Sequence, residues 1–235
     1  MANNFVSVVL PSYNEQENIA EAIQRVEESL GSKLLEIIVV DDNSPDGTWK
    51  VVENMENKKV RCIRRMHERG LASALARGIS EAQGSIVVWM DCDLGLPPED
   101  VPRLVAAIEE GADVAIGSRY VNGGADQRAW FRGFLSKLIN YFAMLVLSAK
   151  VHDYTSGFAA VRKQVVDNIG INTHGFGEYF VEFTYKAIKK GYCVKEVGYH
   201  YNYRKHGVSQ TDNINFKLFK YGIQYGINIL KLRFK

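Results

Sequence analysis

Apolar positions along the first 120 residues switch repeatedly between two rhythms. "FVSVVLP" (5–11) is an unbroken apolar run of strand length, and behind it Ile19, Ile23, Val26 and Leu30 recur at helical spacing until Gly31 ends the stripe. Asn14 with Glu17 three residues on resembles a capping arrangement at that boundary. The alternation continues as strand "LLEIIVV" (34–40), a helix from about Thr48, short strand "VRCI" (60–63), helix "LASALARGISEA" (71–82) closed by Gly84, strand "SIVVWM" (85–90), and a helix from Pro98 to Glu110. Strands that are apolar throughout, set between amphipathic helices, predict an α/β fold with a mostly parallel sheet covered by helices on both faces.

Beyond residue 120 the pattern is less regular. A long apolar and basic segment runs from Trp130 to Leu147, followed by "DYTSGFAAVR", a helix near Glu178 to Lys189, a strand "CVKEVGYHY" and a basic, aromatic tail. No internal repeat or low-complexity linker divides the chain. The expected organisation is one catalytic domain over residues 1–212 and an amphipathic tail over 213–235.

Ligands of open α/β sheets bind beyond the carboxyl ends of the strands. The segments leaving the strands are "PSYNE" (11–15), "DDNSPDG" (41–47), "DCD" (91–93) and "GSRY" (117–120), so acidic residues dominate that edge. Asp91 and Asp93 repel one another unless something positive sits beside both. A hard divalent cation, Mg²⁺ or Mn²⁺, meets that need, because it takes one or two carboxylates together with phosphate oxygens. Asp41, Asp42 and Asn43 can accept hydrogen bonds from a base amino group or ribose hydroxyls. Asp46 and Gly47 read as a cap and turn instead. No GxGxxG follows any strand, which leaves a nicotinamide or flavin site without support.

Composition narrows the classes further. The chain has 235 residues, 46% of them hydrophobic, enough for one large core. Its net charge of +2 is too small to suggest nucleic acid. The cysteines, Cys62, Cys92 and Cys193, are three and widely spaced, which points to a reduced intracellular setting without a disulfide framework or zinc site. The start of the chain does not read as a signal peptide. The longest uncharged apolar stretch, Leu138 to Ala149, is well short of the ~20 residues that span a bilayer.

Taken in order, "VVLPSYNEQENI", "EIIVVDDNSPDGT", "RGLASALARGISEAQGSIVVWMDCDLGLPPE", "AIGSRY", "YTSGFAAVRK" and "YRKHGVS" resemble the family-two glycosyltransferases of GT-A (Rossmann-like) fold, over roughly Val6 to Ser209. Within that family the likeness is to the enzymes that move sugars onto dolichyl or polyprenyl phosphate. The resemblance implies that Pro11, Tyr13, Glu15 and Asp41 line the nucleoside pocket, with Asp42 beside them, and that Asp91 and Asp93 hold the metal and the donor diphosphate. It further implies that Arg119, Arg132 and Arg204 surround the reacting phosphates and that Asp153 stands near the sugar. Two positions depart from the family pattern. Gly95 stands where a polar residue is usual and a metal contact is lost, and Gln210 stands where a lysine is usual. Both bear on the strength of donor-phosphate binding.

The expected reaction is inverting transfer of a sugar, mannose from GDP-mannose, to a polyprenyl phosphate. A lipid phosphate is already anionic, so the site needs arginines to bring two anions together more than it needs a base. The alternatives are a UDP-sugar enzyme acting on a hydroxyl, which requires a general base, and a non-catalytic homologue that binds nucleotide sugar. The tail mixes Phe, Tyr, Ile and Leu with Lys217, Lys220, Lys231, Arg233 and Lys235, which suits a membrane surface, and segment 130–147 offers a second such surface. The expected setting is the cytoplasmic face of a membrane, peripherally bound, with a small membrane partner subunit as a possible associate.

Overall fold

The computed structural model describes residues 5–128, 130–175, 177–202 and 215–234, with backbone alone for 215–221. Strands β1 (Val6–Ser12), β2 (Leu34–Asp41), β3 (Val60–Arg64) and β4 (Ile86–Trp89) alternate with helices α1 (Ile19–Leu30), α2 (Thr48–Glu53) and α3 (Leu71–Glu81). Helix α4 (Val101–Glu109) leads to β5 (Val114–Ser118), a short β6 (Ala125–Asp126) and the long α5 (Trp130–Val146). There follow β7 (Ala159–Arg162), α6 (Lys163–Ile169), α7 (Glu178–Lys189), β8 (Val194–Gly198), β9 (His200–Tyr201) and α8 (Asn215–Arg233).

Seven strands form one sheet in the order β3-β2-β1-β4-β7-β5-β8, while β6 and β9 pair separately. Successive strand residues point to opposite faces, so each buried run feeds two cores. Val8, Leu10, Ile37, Val39 and Val88 pack under α1 and α4, with Val26, Leu30, Leu104 and Ile108 closing that layer. Val9, Ile38, Val40, Val87 and Trp89 face the other way onto α3 and α7, through Leu75, Ile79, Phe180 and Phe183. Helix α3 lies so close to the sheet that a Cβ on Gly78 would stand 2.4 Å from Val9 Cγ1. The expected sheet covered on both faces is therefore present.

One strand departs from the parallel pattern: β7 runs antiparallel to both β4 and β5, between which it is inserted. An antiparallel strand begins at the edge where parallel strands end. That direction carries the preceding loop, 153–157, to the same edge as the Asp91–Asp93 turn.

Helix α8 is joined to the domain. Ile229 and Leu232 belong to the core under α7, while Ile223, Ile227, Leu230 and Phe234 stay exposed. The amphipathic tail expected over 213–235 thus also contributes Ile229 and Leu232 to the core. Among the described residues no helix is long and apolar enough to cross a membrane.

Candidate active site

Each strand end contributes a loop with its own backbone demand. Asn14 after β1, Asn43 after β2 and Leu94 after β4 have φ of 59°, 54° and 63°. Asparagine tolerates that left-handed region, but leucine does not do so readily, and such a conformation costs of order 1–3 kcal/mol. Leu94, buried directly behind Asp93, is held there by its surroundings.

In the Asp91–Asp93 turn the side chains alternate. Cys92 points inward, its Sγ 3.4 Å from the Pro11 carbonyl, and burial pushes its thiol pKa well up. Asp91 is exposed, and Asp93, nearly buried, accepts a hydrogen bond from Gly95 N at 3.0 Å through Oδ1. Two carboxylates on one edge, one of them open to solvent, fit a hard cation that completes its shell with phosphate oxygens. The donor set present therefore suits Mg²⁺ or Mn²⁺.

At the end of β2 the aspartates are engaged with the protein. Asp41 is fully buried and accepts from Ser12 Oγ at 3.0 Å, Ser44 N at 2.8 Å and Ser44 Oγ at 2.5 Å. Asp42 accepts from Arg65 Nε at 2.6 Å and Gly70 N at 2.8 Å, pinning the loop between β3 and α3. Arg65 also donates to Ser73 Oγ and to the Gly70 carbonyl, which fixes the start of α3. Tyr13 is half-buried with the Arg69 guanidinium 4.9 Å from its ring centroid, and Pro11 and Glu15 are buried beside it. Next to this wall a cavity of about 370 Å³ is lined by Asn43, Ser44, Pro45, Gly47, Trp49, Lys50, Arg64 and Arg69.

Arg119, leaving β5, is closed off by Asp153. Its Nε donates to Oδ2 at 2.8 Å and its Nη2 to Oδ1 at 2.7 Å, with the arginine side chain 2% exposed and the aspartate 0%. Arg119 N donates to the same carboxylate at 3.0 Å. Burial opposes the charge on Arg119, but the Asp153 carboxylate wins and holds the guanidinium pKa well above its usual value. Neither residue presents a free charge toward the Asp91–Asp93 edge. A second pair, Asp126 and Arg128, lies next to it with contacts of 2.8 and 2.6 Å, and Arg128 sits 5.0 Å from the Tyr201 ring centroid.

The Arg119–Asp153 pair is tied to α5. Arg119 Nη2 donates to Thr155 Oγ1 at 2.9 Å, and Asn140 Nδ2 of α5 donates to the same oxygen at 2.8 Å. Tyr154 N donates to Asn140 Oδ1 at 2.6 Å, and Tyr120 Oη donates to Ser136 Oγ at 2.8 Å. While Asn140 faces inward, the opposite side of α5 exposes Trp130, Phe134, Leu138, Tyr141 and Leu145. Arg132 is half-buried in the first turn of α5, and Arg204 lies outside the described residues, as does Gln210.

The expected residues that are described lie at or near strand ends on one edge of the sheet, apart from Arg132 on α5, and stand in different settings. Asp91 is exposed at that edge with Asp93 nearly buried behind it, whereas Asp41, Asp42, Arg119 and Asp153 are hydrogen-bonded to neighbouring loops. The sequence reading missed Arg65, Ser44, Asn140, Thr155 and Tyr201. Only the aromatic run "GYHYNY" at a strand end hinted at the last.

Comparison with known proteins matches residues 7–170 to the family described as Glycosyl transferase family 2. A dolichol-phosphate mannosyltransferase of Pyrococcus furiosus is 41% identical over 209 residues, covering 87% of this chain and 58% of that protein. A polyprenol monophosphomannose synthase of Mycolicibacterium smegmatis is 34% identical over 231 residues, covering 92% of this chain and 86% of the other. The chain thus spans little more than half the length of the first relative and most of the second. Among solved structures, glucosyl-3-phosphoglycerate synthase of Mycobacterium tuberculosis in complex with Mn²⁺, UDP and phosphoglyceric acid superposes with a TM-score of 0.76 at 20% identity, over 99% of this chain and 79% of that one. That likeness establishes the α/β fold of GT-A type.

Proposed function

The chain belongs to glycosyl transferase family 2, and from that premise we propose that it transfers a sugar, mannose from GDP-mannose, onto a polyprenyl phosphate with inversion at the anomeric carbon. One observation carries the acceptor class. The helix whose outer side exposes Trp130, Phe134, Leu138, Tyr141 and Leu145 is hydrogen-bonded on its inner side, through Asn140 and Thr155, to the Arg119–Asp153 wall of the acidic edge. A lipid acceptor stays in the bilayer, and an apolar face fastened to the site wall brings the two together. The adjoining α8 adds Ile223, Ile227, Leu230, Lys231 and Arg233 to the exposed surface, and basic residues favour anionic lipid.

In this reading Asp91 and Asp93 hold Mg²⁺ or Mn²⁺, which supplies charge stabilisation on the departing nucleoside diphosphate when bound. Pro11, Tyr13 and Glu15 wall the nucleoside pocket, and Asp41 and Asp42 keep its loops in place. A phosphate oxygen of the acceptor attacks the anomeric carbon as the bond to the donor diphosphate breaks, and no proton needs to be removed first. Attack by a hydroxyl would need a general base. Asp153 and Asp126 are each held by an arginine, which disfavours that alternative.

The deciding experiment offers radiolabelled GDP-mannose, UDP-glucose and other nucleotide sugars with polyprenyl phosphate in detergent and follows label into an organic phase. Transfer from GDP-mannose into an acid-labile lipid is expected. Label appearing only in a water-soluble glycan would overturn the reading, and label from another nucleotide sugar alone would correct the donor.

A further inference from the structure

The gap left by glycine at position 95 is filled from elsewhere in the chain. A Cβ on Gly95 would lie 2.8 Å from the Tyr201 hydroxyl, 2.9 Å from Tyr201 Cζ and 3.1 Å from Asp93 Oδ1. The tyrosine is thus packed on the bare backbone of the metal-edge turn, with its hydroxyl in the space that any side chain at 95 would claim. Its own strand is anchored there, because Asn202 N donates to the Gly95 carbonyl at 3.0 Å. The register Asp126↔Tyr201 between β6 and β9, and Arg128 over the tyrosine ring, fix the ring from the other side.

Tyr201 is half-buried, its ring held between the Gly95 backbone and the Arg128 guanidinium. A phenol is neutral at ordinary pH and carries a proton it can donate. A donor of that kind beside two carboxylates is mismatched to a cation and matched to an anion lying over it.

We propose that Tyr201 is a donor-binding residue whose hydroxyl, lodged against Gly95, donates a hydrogen bond to a diphosphate oxygen of the nucleotide sugar. Glycine at 95 and tyrosine at 201 are then one device: the missing side chain makes room for a phosphate contact supplied from β9. The inference rests on the donor reading of Asp91 and Asp93.

The test is calorimetric titration of the full chain with GDP, and separately with guanosine, in the presence of Mn²⁺. Tyr201→Phe keeps the ring and removes one oxygen, and it is expected to weaken GDP about tenfold or more while leaving guanosine within about twofold. Gly95→Ala should displace the hydroxyl and give a comparable loss. In a Tyr201→Ala background the same Gly95→Ala change should add less than about twofold, because the clash is gone. Equal GDP affinity for wild type and Tyr201→Phe would overturn the inference and leave the donor reading standing. So would parallel losses on GDP and guanosine, which would mark the ring as scaffold. Failure of the wild-type chain to bind any nucleoside diphosphate, with UDP tried as well, would overturn the donor reading and this inference together.

Discussion

Arg119 and Asp153 close a two-point ion pair, 2.7 and 2.8 Å, in which neither side chain has meaningful contact with water. Breaking such a pair from one side leaves an uncompensated buried charge, at a cost of about 3–5 kcal/mol. Asp153→Ala and Arg119→Ala are therefore expected to lower Tm by several degrees, and each should lose transfer activity through the displaced loop 153–157. Thermal denaturation checks it. Loss of turnover with an unchanged Tm would mean that Arg119 acts on phosphate instead.

Asp91→Ala should leave Tm near wild type, Asp93→Ala should lower it modestly by leaving Gly95 N without its acceptor, and each should cut transfer about a hundredfold or more, as expected when ~3 kcal/mol of charge stabilisation is removed. EDTA should mimic them, with Mn²⁺ or Mg²⁺ restoring the wild type alone. Near-normal turnover of the double variant sinks the metal assignment.

Asp41→Ala leaves the Ser12 and Ser44 hydroxyls and Ser44 N without their acceptor. Each unsatisfied buried group costs ~1–3 kcal/mol. The variant should lose stability and raise the donor KM more than it lowers kcat, because the nucleoside wall is shared by ground and transition states. Calorimetry with GDP and a melting curve read both, and unchanged donor affinity would remove Asp41 from the pocket.

The exposed face of α5 can be tested without truncation, which would strip Ile229 and Leu232 from the core. Trp130→Glu and Leu138→Glu stand 81% and 54% in solvent and should fold normally. Both should sediment less with anionic vesicles and slow transfer to a long-chain polyprenyl phosphate more than to a short soluble one. Added salt should weaken vesicle binding further. Equal losses on both acceptors would refute the membrane reading.

Asp126 gives a pH signature. Burial raises its pKa, but the hydrogen bond and charge of Arg128 and the charge of Arg119 outweigh that, and its carboxyl sits below the usual range. A depressed folded-state pKa contributes stability that is fully present above the unfolded value of about 3.9 and lost as pH falls through the folded one. Calorimetric scans should show Tm dropping below about pH 4, with a shallower acid limb in Asp126→Asn. An identical limb in both would show that other carboxylates set it.

The elements with long periodic signatures were legible from the chain alone: Ile19–Leu30, Leu34–Asp41 and Glu178–Lys189 lie where the apolar spacing put them. The strand Ala159–Arg162 was not, because four residues behind a turn carry too little periodicity to announce direction, and its antiparallel insertion is a tertiary outcome. At the site, the Asp91–Asp93 turn was visible because two like charges one residue apart at the end of an apolar strand are locally costly. The pairing of Arg119 with Asp153, 34 residues apart, and the lodging of Tyr201 against Gly95 depend on distant segments meeting. Local sequence shows that these residues are charged or aromatic, and not which neighbour has already claimed them.

The late insertion of β7 into the middle of the sheet has a consequence for the nascent chain. Seventy residues separate Trp89 from its partner Ala159 (159 − 89), and at ~5–20 residues per second the ribosome takes about 4–14 s to supply them. A half-sheet β3-β2-β1-β4 formed within that interval would have an open border made of Ile86, Val87, Val88 and Trp89, an uncharged ribbon of the kind that recruits strands from other molecules. Asp91 and Asp93 stand at the end of that border and make foreign strands harder to extend along it. In a half-sheet formed before β7 arrives, the acidic turn would thus oppose foreign pairing at one end of the open border.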